Sequence, residues 1–390
     1  MMKKILLLTD LSSGYSRKMI KGVVRYSREC GPWIFYRMPI HYRELYGDEG
    51  VVKWAGQWKA DAIIAQLSDI DVEVIRRLKI PVVIQNYRDR YEGVYNLTGD
   101  YYGTGTMAAE FFLRRGFRHF AYYGFSETVW MRERGDGFKH TVRKEGCEVH
   151  FFSEPQERDK DWTFDIDRVS RWLRSLPKPV ALFACDDSYA LQITEVCKIF
   201  NLRVPNEISV LGVDNDELLC SISDPPLSSI ELDILNGGYE LGKLLHNLFE
   251  QKEQTVSNVV IRPLRIVARE STERFAVSDP GIENVLKYID QNYMLPLPVD
   301  RIVAASPFSR RVLEKKFRKE TGISVYQYVQ QLRVDRFAEL LATPLPLVEA
   351  AFQAGFDDYK NVSRIFSRIK GFAPIQYRKR LRTENDDCLD

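Results

Sequence analysis

The stretch that decides the architecture is VDRIVAASPFSRRVLEKKFRKETG, Val299 to Gly322, together with its counterpart PLVEAAFQAGFDDYKNVSRIFSRIKG, Pro346 to Gly371. Each reads as a short apolar helix, a sharp turn, and a longer helix with one basic and polar face. A helix of the second kind enters a major groove while the helix before it braces against the backbone. Two such spaced units predict an all-α domain with two helix-turn-helix units. On the longer helices, Leu313, Phe317, Val362 and Phe366 fall on the apolar spacing and are expected in the core. Val325–Leu341 lies between the units and is expected to link them rigidly.

Charge follows the same division. Between Arg301 and Arg380, 16 Lys and Arg face 7 Asp and Glu, a net of +9; the whole chain carries +2, so the remainder carries −7. A basic end on a near-neutral protein calls for a polyanionic partner, and phosphate contacts are the usual source of nucleic-acid affinity.

Working towards the N-terminus, short apolar runs alternate with amphipathic stretches. Ile5–Leu8, Ala62–Ala65, Val82–Ile84, Phe120–Tyr123, Ala181–Ala184 and Ser209–Val213 read as buried strands. Tyr15–Arg28, Val72–Leu78, Thr106–Arg115, Asp165–Leu176 and Tyr189–Phe200 read as helices between them. Such alternation predicts parallel sheet covered on both faces, with right-handed crossovers. Ligands of open sheets bind beyond the carboxyl ends of the strands. Polar groups gather there: Asp10 to Ser13 after the first strand, Asp186 and Asp187 after Cys185, and Asp214 after Val213. Arg132 and Arg134 precede Gly137-Phe138, where a helix is expected to begin. A carboxylate accepts from vicinal sugar hydroxyls, a guanidinium donates a planar fork, and an indole such as Trp130 covers the apolar face of a pyranose.

Several classes are disfavoured. The start MMKKILLLTD reaches Asp10 too soon for a secretory signal, and no run is long enough to span a bilayer. The six cysteines are scattered without a CxxC, which points to reduced thiols in a cytosol. The five histidines are dispersed, with no HExxH, so no metal site and no cofactor is expected. One rival signal remains. Gly103-Thr104-Gly105-Thr106-Met107-Ala108 fits GxGxxA, the dinucleotide fingerprint of an NAD-dependent oxidoreductase. That turn should start at the strand end, whereas here Asp100-Tyr101-Tyr102 intervenes, and Asp100 suits the N-cap of a helix already running through the glycines. An oxidoreductase or sugar-modifying enzyme with an accessory basic domain is the alternative. A DNA-binding protein with a silent sensor is a further one.

With these residues in place, the sensor region resembles the lactose-repressor and periplasmic sugar-binding group. The likeness rests on DYYGTGTMAAEFFLRRGFRHFAYYG (Asp100–Gly124), RGDGF (Arg134–Phe138), CDDSYALQ (Cys185–Gln192) and LRVPNEISVLGVDND (Leu202–Asp216). The C-terminal region resembles the arabinose-regulator family through FRKETG (Phe317–Gly322), AGFDDYKNVSRIFSRIKG (Ala354–Gly371) and PIQYRKR (Pro374–Arg380). The order of the two, the junction ARESTERFAVSDP (Ala268–Pro280) and LEKKF (Leu313–Phe317) together resemble the bacterial xylose-operon regulators.

The resemblance implies a two-lobed periplasmic-binding-protein-like α/β sensor over 1–270, a linker over 271–281, and a double helix-turn-helix domain over 282–385. It implies a sugar effector, a pentose with xylose foremost, contacted by Arg134, Asp214 and Asp186; Trp130 and Ser13, read from their place after the strands, are the further expected contacts. The group often has Asn-Asp where this chain has Asp186-Asp187, which leaves the identity of the sugar open. The lactose-repressor group carries its DNA-binding headpiece ahead of the sensor; here strand one starts within a few residues of Met1, so DNA reading is expected of the C-terminal end. Base-facing positions by resemblance are Arg310, Arg311, Glu314 and Lys315 in the first unit, and Tyr359, Lys360, Asn361 and Arg364 in the second. Arg and Lys suit guanine, and Asn suits adenine. Glu314 suits cytosine N4 or a neighbouring Arg. The expected partners are operator DNA, a second copy of the chain and RNA polymerase, in a cytoplasmic activator.

Overall fold

The β8 and β9 strands, Val180–Ala184 and Ile208–Val213, are buried at every position. Only a sheet covered on both faces tolerates such runs. The computed structural model describes residues 2–38, 40–67, 73, 77–86, 88–152, 165–250, 256–277, 279–341, 343–370 and 373–378; the side chains of residues 40, 41, 43, 44, 67, 86 and 360 also lie outside the described set.

Among the described residues, two six-stranded sheets form the sensor region. The first lobe contains β1 (Lys4–Leu8), β2 (Ile34–Arg37), β3 (Ala62–Leu67), β4 (Val82–Asn86), β5 (Tyr95–Gly99) and β11 (Val259–Ile261), ordered β11-β5-β4-β3-β1-β2. The second contains β6 (His119–Tyr123), β7 (Val149–Phe151), β8, β9, β10 (Ser228–Leu232) and β12 (Pro263–Val267), ordered β12-β10-β9-β8-β6-β7. Every recorded pairing is parallel except β10 with β12. Helices α1 (Gly14–Cys30) and α2 (Ile40–Trp58) belong to the first lobe. The second lobe carries α4 (Val129–Lys144), α5 (Ile166–Ser175), α6 (Asp187–Ile199) and α7 (Glu217–Ile222).

The chain crosses between lobes three times. It leaves β5 through α3 (Tyr101–Arg114), returns from β10 through α8 (Ile234–Phe249), and passes from β11 directly to β12. The crossings are tied to one another: Asp100 N donates to Ile261 O at 2.8 Å and Asp233 N to Arg262 O at 2.9 Å.

Helix α4 begins at Val129, two turns before the expected start, which places Arg132 and Arg134 on the helix itself. Thr128 gives it no side-chain cap, so no capping signal marks that start. Helix α3 begins at Tyr101, as the reading of Asp100 as an N-cap implied; the amphipathic stretch read from Thr106 covers only its later part. Asp100 caps it through Gly103 N at 2.8 Å. The GxGxxA segment is therefore helix interior. A Cβ on Gly105 would lie 2.0 Å from the Arg134 carbonyl, so its glycine permits backbone contact with α4 rather than a phosphate cradle. The helix expected at Val72–Leu78 lies largely outside the described residues.

Residues 270–277 are packed onto both neighbours. Ser271 and Thr272 are fully buried; Ser271 Oγ donates to Val210 O at 2.7 Å, and Phe275 enters the core of the helical domain. Beyond lie α9 (Pro280–Asn292), α10 (Val299–Ala304), α11 (Arg310–Thr321), α12 (Val325–Leu341), α13 (Leu347–Gln353) and α14 (Tyr359–Lys370). The first half of α12 gives Val325, Tyr328 and Val329 to one core; its second half gives Val334, Phe337, Leu340 and Leu341 to another. A single helix shared by two cores fixes one unit against the other. The apolar positions expected inside, Leu313, Phe317, Val362 and Phe366, are all fully buried.

Candidate functional site

The cleft between the lobes is lined from both sides. On the second lobe Arg134 occupies the second turn of α4 and is 3% exposed. Its guanidinium donates to Cys185 O, at the carboxyl end of β8, and stands 3.6 Å from Asp214 Oδ1. That separation is too long for a hydrogen bond. Arg134 Nε and Asp214 Oδ1 are both buried without a hydrogen-bond partner. Asp214 follows β9 and holds φ at 101°, a conformation that costs a non-glycine residue of order 1–3 kcal/mol. Its backbone is pinned by Asp214 N donating to Ile230 O at 2.9 Å. The loop behind it is pinned by Asp187, which accepts from Ser229 Oγ at 2.6 Å and Asp216 N at 2.8 Å. Asp187 thus supports the loop, while its neighbour Asp186 caps α6 by accepting from Tyr189 N at 3.0 Å.

Electrostatics in the cleft are strongly coupled. Burial, then the nearby Asp214 carboxylate, push the Asp186 carboxyl up to about 6, against the Tyr189 N–H and Arg134. Burial raises the Asp214 carboxyl as well, with Arg134 and Lys18 working against it. Burial alone would lower the Arg134 guanidinium, but Asp214 reverses the direction. One buried cation beside two carboxylates suits a neutral ligand that both donates and accepts hydrogen bonds.

The first lobe supplies a polar chain. Ser16 Oγ donates to Gln66 Oε1 at 2.8 Å, Gln66 Nε2 to Gln85 Oε1 at 2.6 Å, and Gln85 Nε2 to the Tyr15 hydroxyl at 3.1 Å. Tyr101, the first residue of α3, is buried with its ring 5.5 Å from the Arg134 guanidinium carbon. The lobes are joined at the rim. Lys18 Nζ donates to Asn215 O at 3.1 Å, Arg90 to Glu133 at 2.8 Å, and Arg132 to Arg88 O at 3.1 Å and to Asp89. Arg132 is therefore a clasp between lobes.

Of the sugar-site residues expected from the sequence, Arg134, Asp214 and Asp186 converge. Trp130 lies on the first turn of α4, half-buried against the sensor core. Ser13 stands exposed at the rim, ahead of α1, with no side-chain capping bond. Tyr15, Ser16, Lys18, Gln66, Gln85, Arg90 and Tyr101 were not singled out. Gln66 and Gln85 are register partners at the ends of two apolar strands, AIIAQL and VVIQN, and that pairing was the available signal.

In the helical domain, α11 presents Arg310, Arg311 and Lys315 to solvent, with Glu314 half-buried. Arg310 pairs with Asp300 of α10 at 2.8 Å, both well exposed. On α14, Asn361 and Arg364 are exposed and 3.4 Å apart, while Tyr359 packs partly into the core beneath. The Lys360 side chain lies outside the described residues. The turn before α14 requires Gly355: φ is +90°, and a Cβ would lie 2.7 Å from Tyr293 O.

Residues 109–272 match the periplasmic binding protein-like domain family, and residues 302–380 match the helix-turn-helix domain family. The same order runs through known relatives. The xylose operon regulatory protein of Escherichia coli (strain K12) is 26% identical, covering 96% of both chains. The xylose operon regulatory protein of Haemophilus influenzae is 25% identical, covering 96% of this chain and 98% of its own. Along nearly its whole length the chain is similar to these xylose operon regulatory proteins, with a periplasmic binding protein-like domain ahead of a helix-turn-helix domain. The fold of a xylose-binding transcription activator covers 97% of this chain at a TM-score of 0.61 and 24% identity. No helix among the described residues is long and apolar enough to cross a membrane.

Proposed function

We propose that this chain is a transcriptional regulator that binds a small neutral sugar in the interlobe cleft and uses occupancy of that cleft to control how its two helix-turn-helix units engage operator DNA. The observation that carries the reading is the pair of buried, unpartnered polar atoms, Arg134 Nε and Asp214 Oδ1, in side chains whose charged groups approach to 3.6 Å beside Asp186 at the strand ends. Buried polar groups are normally hydrogen-bonded. A vicinal diol donates to the carboxylates and accepts from the guanidinium, and so satisfies both sides. Gln66, Gln85, Tyr15 and Tyr101 face it from the other lobe, and Trp130 and Ser13 are the further proposed contacts. A pentose is the proposed size, with D-xylose first among candidates, in keeping with the relatives' names.

The proposed mechanism begins with closure of the lobes around the sugar. A ligand shifts such an equilibrium only by binding the closed state more tightly. Closure then realigns the readers in a homodimer. Arg310, Arg311, Glu314 and Lys315, and in the second unit Tyr359, Lys360, Asn361 and Arg364, are the proposed base and backbone contacts, with α12 holding the two reading helices about one DNA turn apart. The proposed outcome is activation of pentose-catabolic genes in the cytoplasm, with RNA polymerase as a further partner.

A thermal-shift screen over monosaccharides tests the reading. A pentose raises the melting temperature of the wild-type chain, and Asp214→Ala removes that rise while leaving the unliganded transition in place. A panel in which no sugar moves the transition refutes it. An undiminished rise in Asp214→Ala refutes the assignment of the carboxylate.

A further inference from the structure

The sensor and the helical domain meet at the far end of α3. Arg114, its last residue, donates to Asp335 Oδ2 at 2.7 Å. Asp335 lies on α12, and its other oxygen accepts from Lys370 Nζ at 2.8 Å. Lys370 is the last residue of α14, the second reading helix. One carboxylate therefore holds the sensor with one oxygen and the reader with the other. Side-chain exposure is 21% for Arg114, 20% for Asp335 and 26% for Lys370, so water screens this trio less than a surface pair. The next residue adds a second anchor. The Arg115 guanidinium pairs with Asp290 of α9 at 3.0 Å and lies between the Phe111 and Phe275 rings, 4.5 Å from each centroid.

The near end of α3 stands in the cleft. Tyr101 opens the helix, and the 14 residues to Arg114 span about 20 Å. The flank of α3 is locked against α4. A Cβ on Gly105 would lie 2.0 Å from Arg134 O, and one on Gly137 would lie 2.1 Å from Tyr102 O. The two backbones touch, with no side chain between them to yield. The helix that carries the Arg134 guanidinium therefore cannot shift alone; α3 moves with it.

We propose that Asp335 is the positioning residue through which cleft occupancy sets the orientation of the second reading helix, by sharing its carboxylate between Arg114 of the sensor and Lys370 of the reader. The proposal rests on the reading of the cleft as an effector site. When α3 presents Arg114, the carboxylate is bound from both sides and the end of α14 is held against α12 in one arrangement. When α3 draws Arg114 away, Asp335 and Lys370 pair alone and the end of α14 is released from the sensor. The contact to DNA made by the exposed residues of α14 then depends on where α3 stands.

The test uses the full-length chain, D-xylose, and a DNA duplex enriched from a random library by the wild-type chain. The quantity read is the ratio of DNA dissociation constants without and with D-xylose. Allosteric couplings of ordinary size give a wild-type ratio of at least about 5-fold in one direction or the other. In Asp335→Asn and in Arg114→Gln the ratio falls to within about twofold of unity, well below the ordinary coupling range. D-xylose affinity stays unchanged, and hydrogen exchange at 101–106 and 130–138 still slows on adding the sugar. Asp335→Glu, which keeps the charge, restores most of the ratio. A merely structural role would shift stability and DNA affinity equally with and without sugar.

Arg114→Gln leaves the Asp335–Lys370 pair intact, so it decides the matter even if Asp335→Asn unfolds the second unit. A wild-type ratio retained in Arg114→Gln overturns the proposal, as does a wild-type ratio of one with a protected cleft. No protection of the wild-type cleft by D-xylose refutes the D-xylose reading and removes the trigger with it. Cleft protection with unchanged coupling in the variants refutes the role of Asp335 alone.

Discussion

Replacing Asp186 by Asn tests the electrostatics of the cleft. Asp186 caps α6 by accepting from Tyr189 N, and an amide oxygen makes the same bond. Burial and the Asp214 carboxylate push the Asp186 carboxyl from 3.8 to about 6. A carboxyl raised in this way binds its proton more tightly in the folded chain than in the unfolded one. Its effect on stability is therefore absent below pH 3.8 and becomes a growing penalty as pH rises through 6. A difference of roughly two pKa units corresponds to about 3 kcal/mol at pH 7.5, about half of that at pH 5, and under about 1 kcal/mol at pH 4. Asn carries no such penalty, so Asp186→Asn stabilises the sensor at pH 7.5 by up to this amount, with the gain fading towards pH 4. The six tryptophans, Trp33, Trp54, Trp58, Trp130, Trp162 and Trp172, all lie in the sensor region, so indole emission follows its unfolding in the intact chain. Urea titrations at pH 7.5, 5 and 4 then read the difference between variant and parent. An equal gain at all three values would show that ionisation is not its cause. A loss at pH 7.5 would show that the charge makes a contact to Arg134 worth more than its burial costs.

Other outcomes follow from the helical domain. Arg364→Ala weakens binding to the enriched duplex by about 1–3 kcal/mol if the side chain reads a base, measured by fluorescence anisotropy; an equal loss on random DNA makes it a phosphate contact. Gly355→Ala places a side chain at a φ of +90° against Tyr293 O, costing about 1–3 kcal/mol from backbone conformation alone. Specific DNA binding is lost while the sugar-dependent melting transition persists, and retained DNA affinity would refute the geometry of that turn. Phe337 is fully buried in the second core, and Phe337→Ala destabilises that unit by about 3–5 kcal/mol, read from hydrogen exchange over 343–370.

The central strands of both lobes were legible because burial on two faces forces unbroken apolar runs, as in VALFA and ISVLGV. The edges were not. β2 is half-buried along most of its length, β7 is mostly exposed, and β11 has three residues. Such strands form by pairing with a neighbour already in place, and tertiary context decides them. The start of α4 was misplaced for a related reason. Gly135 and Gly137 look like a break in a helical pattern, yet they sit inside the helix and allow close packing. Arg134 and Asp214 could be found from strand ends and from the family motif. The wall opposite could not, because which face of β3 and β4 meets the cleft depends on how the lobes are set against each other. Ser13 follows the first strand as expected, while the helix after it carries Tyr15 and Ser16 inward and leaves Ser13 at the rim.

The arrangement of contacts also bears on what a ligand must do. The clasps that join the lobes lie at the rim: Arg90 with Glu133 at 35% and 32% exposure, and Arg132 with Asp89 at 36% and 69%. Pairs of that kind contribute about 0–1 kcal/mol each. Against them stands the cost of closing over Arg134 Nε and Asp214 Oδ1 with nothing bonded to either, about 1–3 kcal/mol for each neutral polar atom and more for a charged group. Hydrogen bonds supplied to these two atoms by a ligand therefore weigh more in closure than the two rim pairs. A ligand that supplies the missing hydrogen bonds removes that penalty only in the closed form, which is the differential affinity a switch requires. Asp214→Asn, which keeps an acceptor but removes the charge, then lowers the cost of empty closure and narrows the difference that the sugar makes. Solution scattering with and without D-xylose reads this directly. The wild-type chain contracts on adding the sugar, and the variant contracts less because its empty form is already more closed. A variant whose contraction matches that of the wild type would show that the buried charge is not what keeps the empty cleft open.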